Sequence, residues 1–348
     1  MISDRENIKL DVPLVHSNAQ YCHIDSLSMI LRRLGDAYEA WYMGCASGQF
    51  FGLGYFPKPD FIKLSFGIYP LDCLLTFLEE HGYSYIYDEG KSWEEALSTL
   101  KEFLRNDTPV LIISHMGWLS YNKEYEIMRS VGGVVDHYVV ITGFRNDEVL
   151  YVNDPHPDWH KKDAELPVPN FRVGWMEKLW EIQSLRCPML VVTGRKSKPD
   201  MRDILIRALN RALKNLNTRS GSRGLAGLRR ASREIPILLR KNDPSMRNSM
   251  GEWAFFTFRV SEQNRKDIAK FLSHASTELN LEKLKEAGSS MVEASKCYAN
   301  LRQIFRESLE SGIPTSQIAY DVGALLSRAY ENERQCVKLV NATLRTLF

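Results

Sequence analysis

Residues 137–155 read His137-Tyr138-Val139-Val140-Ile141-Thr142-Gly143-Phe144-Arg145-Asn146-Asp147-Glu148-Val149-Leu150-Tyr151-Val152-Asn153-Asp154-Pro155. Two apolar runs, 137–143 and 149–153, flank a polar, turn-prone Phe144-Arg145-Asn146-Asp147, so the pair reads as a β-hairpin. Asp154-Pro155 ends the second strand. In such a hairpin, residues near 137 and near 153 come opposite each other. A histidine at a strand end can face a cleft while the rest of its strand is buried. Asp154 is then placed to accept a hydrogen bond from the imidazole. Asn153 is the alternative, because an amide oxygen can orient an imidazole too. Pleat alternation points the two to opposite faces, so only one of them can serve.

Working outward, the partner for such a histidine lies upstream at Cys22. Residues 20–34 carry Ile24, Leu27, Ile30, Leu31 and Leu34 at near-helical spacing, and Gly35 follows as a stop. Cys22 therefore sits at the start of a helix. Unpaired N–H groups and the helix dipole favour a thiolate there, and the Cys22 N–H can serve an oxyanion. A nucleophilic cysteine needs a base, and the base needs an orienter. Cys22, His137 and Asp154 supply that set.

The N-terminal half mixes helix and strand signals. Helices are predicted at 71–81 and 93–105, and strands at 109–113 and 189–193, beside the hairpin. Composition shifts at Gly194-Arg195-Lys196-Ser197-Lys198-Pro199-Asp200. Beyond it the pattern is helical over 201–216, 225–240, 264–278, 281–310 and 318–348, with a break at 220–224. Two domains are expected, 1–197 and 198–348.

The 348 residues are 44% hydrophobic and 25% charged, with a net charge of +2, so any nucleic-acid or membrane role would need a local patch. No apolar run is long enough for a spanning helix, and the polar start, 1–10, is not a signal peptide. A cytoplasmic protein without membrane or nucleic-acid partners is expected. The six cysteines show no C-x-x-C spacing, so zinc ribbons and redox dithiols are not expected. His156, Asp158 and His160 lie in a proline-rich loop without a zinc set, and no metal is expected. Trp41, Tyr42, Phe50, Phe51, Tyr55 and Phe56 read as core first and as a pocket lining second. The first C-terminal helices carry Arg202, Arg207, Arg211, Lys214, Arg219, Arg223, Arg229, Arg230, Arg233, Arg240 and Lys241 with few acids between. That is a solvated face, or a dock for an acidic partner and its phosphate.

The order of Cys22, His137-Tyr138-Val139-Val140-Ile141-Thr142-Gly143 and Asn153-Asp154-Pro155 resembles the papain-like leader peptidases of bacteriocin exporters. Tyr21-Cys22-His23, the helix to Leu34-Gly35, and Gln49-Phe50-Phe51-Gly52-Leu53-Gly54 resemble the butirosin biosynthesis protein H family more closely. Segments 224–231, 256–259 and 271–275 resemble that family's C-terminal domain. The fold implied is α+β, a papain-like cysteine peptidase fold followed by an all-helical domain. The activity implied is an acyltransferase with Cys22, His137 and Asp154 as catalytic residues. It moves an amino-acyl group from the phosphopantetheine arm of an acyl carrier protein to an amine of an aminoglycoside-type acceptor, and binds no cofactor itself. A hydrolase of the same site, peptidase or thioesterase, and a non-catalytic binding protein are the alternatives. Papain-like peptidases place a glutamine about six residues before the cysteine, where this chain has His16. Gln20, Asn18 and His16 are the oxyanion candidates. His23 replaces the glycine that follows the exporters' cysteine.

Overall fold

The computed structural model describes residues 6–17, 21–59, 61–67, 69–122, 136–156, 158–176, 186–218 and 221–347. In chain order the strands are β1 (Asn7–Lys9), β2 (Gly54–Pro57), β3 (Ile62–Ser65), β4 (Tyr83–Asp88), β5 (Val110–His115), β6 (Asp136–Arg145), β7 (Val149–Asp154), β8 (Lys161–Pro167) and β9 (Met189–Arg195). The helices are α1 (Cys22–Arg33), α2 (Ala40–Ala46), α3 (Pro70–Glu80), α4 (Trp93–Arg105), α5 (Val168–Met176) and α6 (Met201–Leu216), then α7 (Gly224–Arg240), α8 (Pro244–Glu252), α9 (Phe258–Leu279), α10 (Lys283–Ser311) and α11 (Thr315–Leu344). The chain divides into two compact units: Met1–Ala40 with Leu78–Lys198, and Trp41–Phe77 with Pro199–Phe348.

The first unit is built on an antiparallel sheet of order β4-β9-β5-β6-β7-β8, with β1 pairing β6 as well. All six residues of β5 and the central eight of β6 are buried, which explains why these strands read as continuous apolar runs rather than alternating ones. Gly143 is required where β1 joins, since a Cβ there would lie 2.1 Å from the Ile8 carbonyl oxygen. Helix α1 buries Ile24, Leu27, Ile30 and Leu31, each worth about 1.5–3 kcal/mol. Asp25 in its first turn and Arg32 and Arg33 in its last complement the dipole. It stops where Gly35 takes φ +89°. Helix α4 starts in a capping box between Ser92 and Glu95.

The second unit packs α6 to α11 with the β2–β3 hairpin. Tyr55, Ile62, Leu64 and Phe66 of the hairpin region share one apolar core with Leu228, Ile235, Trp253, Phe258, Tyr298 and Leu326. At its centre the buried Arg265 forks onto Glu333, Nε to Oε1 at 2.9 Å and Nη2 to Oε2 at 3.0 Å. Tyr298 donates to Glu333 at 2.6 Å, and the guanidinium lies 4.9 Å over the Phe66 ring. Asn264 donates to the Phe66 carbonyl at 3.0 Å.

These contacts explain the main departure from the expected boundaries. Residues 41–77 group with the helical unit, although no composition shift marks them, because their apolar side chains complete its core and their carbonyls satisfy Arg265 and Asn264. Tyr42, Phe50, Phe51 and Tyr55 are buried within that unit. Several elements were not expected: β1, β2, β3, β4, β8, α2, α5 and α8. Most are short, and β8 has a largely exposed pattern, so neither periodicity nor an apolar run announces it. Among the described residues no helix is long and apolar enough to cross a membrane.

Candidate active site

Cys22 is the first residue of α1, as its sequence context predicts. Its N–H lies in the helix's first turn, where backbone donors have no carbonyl partner within the helix. His137 is the second residue of β6, and Asp154 is the last of β7. Ser26 Oγ donates to the Tyr138 carbonyl at 2.9 Å, and the His23 ring meets Tyr138 edge-on at 5.6 Å. These contacts bring the start of α1 to the start of β6.

The hairpin register pairs Val140 with Asn153 and shifts between Ile141 and Gly143. Asp154 therefore shares a face with Val139 and His137 and approaches His137 diagonally, not directly opposite as the simple hairpin predicts. The contact is still direct: His137 Nε2 lies 2.8 Å from Asp154 Oδ1. That leaves Nδ1 for the Cys22 thiol, with which the imidazole hydrogen-bonds. Asn153 faces away. Its amide donates to the Val12 carbonyl at 3.0 Å, and its oxygen accepts from the Asp163 N–H at 2.8 Å.

Asp154 is fixed by more than the histidine. Tyr121 donates its hydroxyl to Oδ2 at 2.8 Å, and the His156 N–H donates to Oδ1 at 2.8 Å. The carboxyl is fully buried. Burial opposes its charge, but the facing imidazolium and these donors outweigh it and hold it below the usual carboxylate range. Burial and the Asp154 charge raise the Tyr121 hydroxyl far above its ordinary value, so it stays a neutral donor.

The thiol and the imidazole are shifted towards an ion pair. Burial pushes Cys22 up, but the charge and hydrogen bond of His137, helped by His23, bring it down. Burial pushes His137 down, but Asp154 and the Cys22 thiolate raise it. Burial raises Cys45, Cys187, Cys297 and Cys336 instead. A buried thiol is ordinarily inert, and Cys22 is set apart by its partners and by being only partly buried, where the other five cysteines are buried.

The sequence did not show the bond of His23 to the thiol, nor the part of Asp25. His23 is buried and hydrogen-bonds the thiol. Asp25, one turn along α1, accepts from the Ser17 N–H at 2.7 Å and the Ser17 hydroxyl at 2.9 Å. Burial, with the nearby thiolate adding to it, raises its carboxyl to about 6. Helical spacing could have flagged Asp25, whereas nothing in the sequence connects Tyr121 to Asp154.

Of the oxyanion candidates, Gln20 and Asn18 lie outside the described residues. The His16 ring stacks on His160 at 3.9 Å, and His156 stacks on Trp159 at 3.3 Å, so both histidines of the 155–160 loop are in ring contacts. Gly132 and Gly133 before His137 also lie outside the described residues.

A helix-borne cysteine packed against an antiparallel sheet that presents a histidine and an aspartate defines a papain-like cysteine-enzyme fold. Residues 9–181 match the Peptidase_C39 like family, so this region is a Peptidase_C39-like domain, followed by a helical region. No curated protein matches the chain.

Proposed function

We propose that the protein is an acyltransferase that moves an amino-acyl group from an acyl carrier protein thioester to an amine of an aminoglycoside-type or similar natural product. The observation that carries the reading is the Cys22–His137–Asp154 arrangement, together with the resemblance of 21–35 and 49–54 to the butirosin biosynthesis protein H family. The Cys22 thiolate attacks the thioester carbonyl, and the phosphopantetheine sulfur leaves with the proton from His137. The acceptor amine then attacks the acyl-Cys22 carbonyl, His137 takes the amine proton, and the Cys22 thiolate departs. Asp154, held by Tyr121 and the His156 N–H, keeps the imidazole oriented through both steps. The first-turn N–H groups of α1 face the negative charge of each tetrahedral intermediate.

The Peptidase_C39 like match favours a second reading, hydrolysis by the same site. Water and amine compete for one acyl-enzyme, and His23 in place of the exporters' glycine argues against a leader peptidase and is compatible with the transferase. Intact-mass analysis after incubation with acyl-carrier protein tests acyl loading. Product analysis with and without an amine acceptor then separates transfer from hydrolysis. Transfer by Cys22→Ala at the wild-type rate would overturn both.

A further inference from the structure

Helix α7 buries Leu228, Ala231, Ile235 and Leu239 and exposes Arg229, Arg233 and Arg240 on the opposite face. At 100° per residue these three fall within about 40° of one another, along about 16 Å of helix. Several exposed cations elsewhere in the same unit pair with acids on their own helix, as Lys266 does with Glu262, Lys296 with Glu293 and Arg306 with Glu310. Arg229, Arg233 and Arg240 have no such partner among the described residues.

The stripe borders two shallow hollows between α7 and α11, of about 410 and 370 Å³, which share Arg233. The only acid lining either is Glu234, which Arg230 neutralises at 2.6 Å. Tyr320, 79% exposed, and Ile237, 47% exposed, stand beside the second hollow. Unpaired arginines next to exposed apolar side chains match an amphipathic acidic helix better than bulk water.

We infer that the α7–α11 face is the docking surface for an acidic helix of the carrier protein, with Arg229, Arg233 and Arg240 as its anion-reading stripe. This rests on the carrier-protein reading above. Arg211, also of the early helices, has different work: it donates to the Ala46 carbonyl at 2.8 Å and is part of the unit's packing.

The test is direct binding of a fluorescently labelled holo acyl carrier protein to the full chain carrying Cys22→Ala. Arg229→Glu/Arg233→Glu/Arg240→Glu should weaken binding about tenfold or more, Arg→Lys at all three positions should retain most of it, and about 0.5 M salt should abolish the difference. Circular dichroism and the urea midpoint check that each variant folds. Wild-type levels of binding by the triple Glu variant, no binding by the parent chain, or tighter binding of a duplex oligonucleotide than of the carrier would overturn the assignment. A second arm measures acyl loading of the chain with Cys22 intact, from the acyl-carrier and from an acyl-pantetheine thioester without a protein. The triple Glu variant should lose about tenfold with the first and nothing with the second. Loading from neither by wild type sinks the acyl-transfer reading, while the binding arm still decides the surface.

Discussion

Replacing His137 with Gln removes the cation that offsets the burial of Cys22 and leaves the thiol with the weaker help of His23. In the native site the thiol falls from an ordinary 9.0 to about 6. That difference is about 4 kcal/mol of preference for the thiolate. Without His137, burial dominates and the midpoint should return to 9.0 or above. At pH 7 the thiolate fraction would then fall from about 0.9 to about 0.01. The reaction rate falls much less, because a thiolate of higher pKa is intrinsically more nucleophilic. With a Brønsted slope near 0.45, three units return about twentyfold. The net loss at pH 7 is only about fivefold, so a single-pH rate is a poor test and the midpoint is the decisive quantity. The assay is iodoacetamide labelling of Cys22, followed by peptide mass between about pH 4.5 and 10.5, for wild type and His137→Gln. Wild type should show a half-point near 6, and the variant should show none below about 8.5. A wild-type half-point near 9.0, or a variant profile superimposable on wild type, would refute the ion-pair account of the site.

Further outcomes follow from the same structure. The coupled shifts set a pH window for stability: the folded pair keeps one proton between about 6 and about 10, and the unfolded chain keeps one between 6.5 and 9.0. The pair's contribution, read as the urea-midpoint difference between wild type and Cys22→Ser/His137→Gln, should be flat from 6.5 to 9.0 and decline from there through about 10 as the folded imidazolium gives up its proton. Glu333→Gln leaves the buried Arg265 unneutralised and should cost about 3–5 kcal/mol by urea unfolding, with Arg265→Met/Glu333→Leu costing less than that single change. A cost under about 1 kcal/mol would contradict the burial argument. Gly143→Ala sets a Cβ against the Ile8 carbonyl oxygen, and hydrogen exchange should show loss of protection at the β1–β6 pairing, with about 1–3 kcal/mol of destabilisation.

The hairpin containing His137 and Asp154 was legible because its strands are buried on both faces and carry unbroken apolar runs, separated by a turn of the right chemistry. Helix α1 was legible because its apolar spacing and its glycine stop agree with each other. Pleat alternation was enough to set Asn153 and Asp154 on opposite faces, and the structure gives them different partners accordingly. The register could not be read, since the shift between Ile141 and Gly143 depends on how β7 meets the bulged strand. The membership of 41–77 was equally invisible. Short strands carry weak local signals, and the partners that anchor them lie far away in sequence, as Glu234 does from Tyr55 (179 residues) and Ser249 from Ile62 (187 residues).

By itself, then, the order of residues determined the helix that carries Cys22, the strand that carries His137, and the acid that follows the next strand, because each depends on a local period or a local stop. The tertiary structure alone decided the rest. It gave Asp154 the Tyr121 hydroxyl, brought His23 and His137 to one thiol, and lowered the pKa of a half-buried cysteine by placing a cation beside it. Those outcomes depend on distances across non-adjacent elements, and electrostatic energy varies with such distances and with burial, neither of which a linear sequence contains.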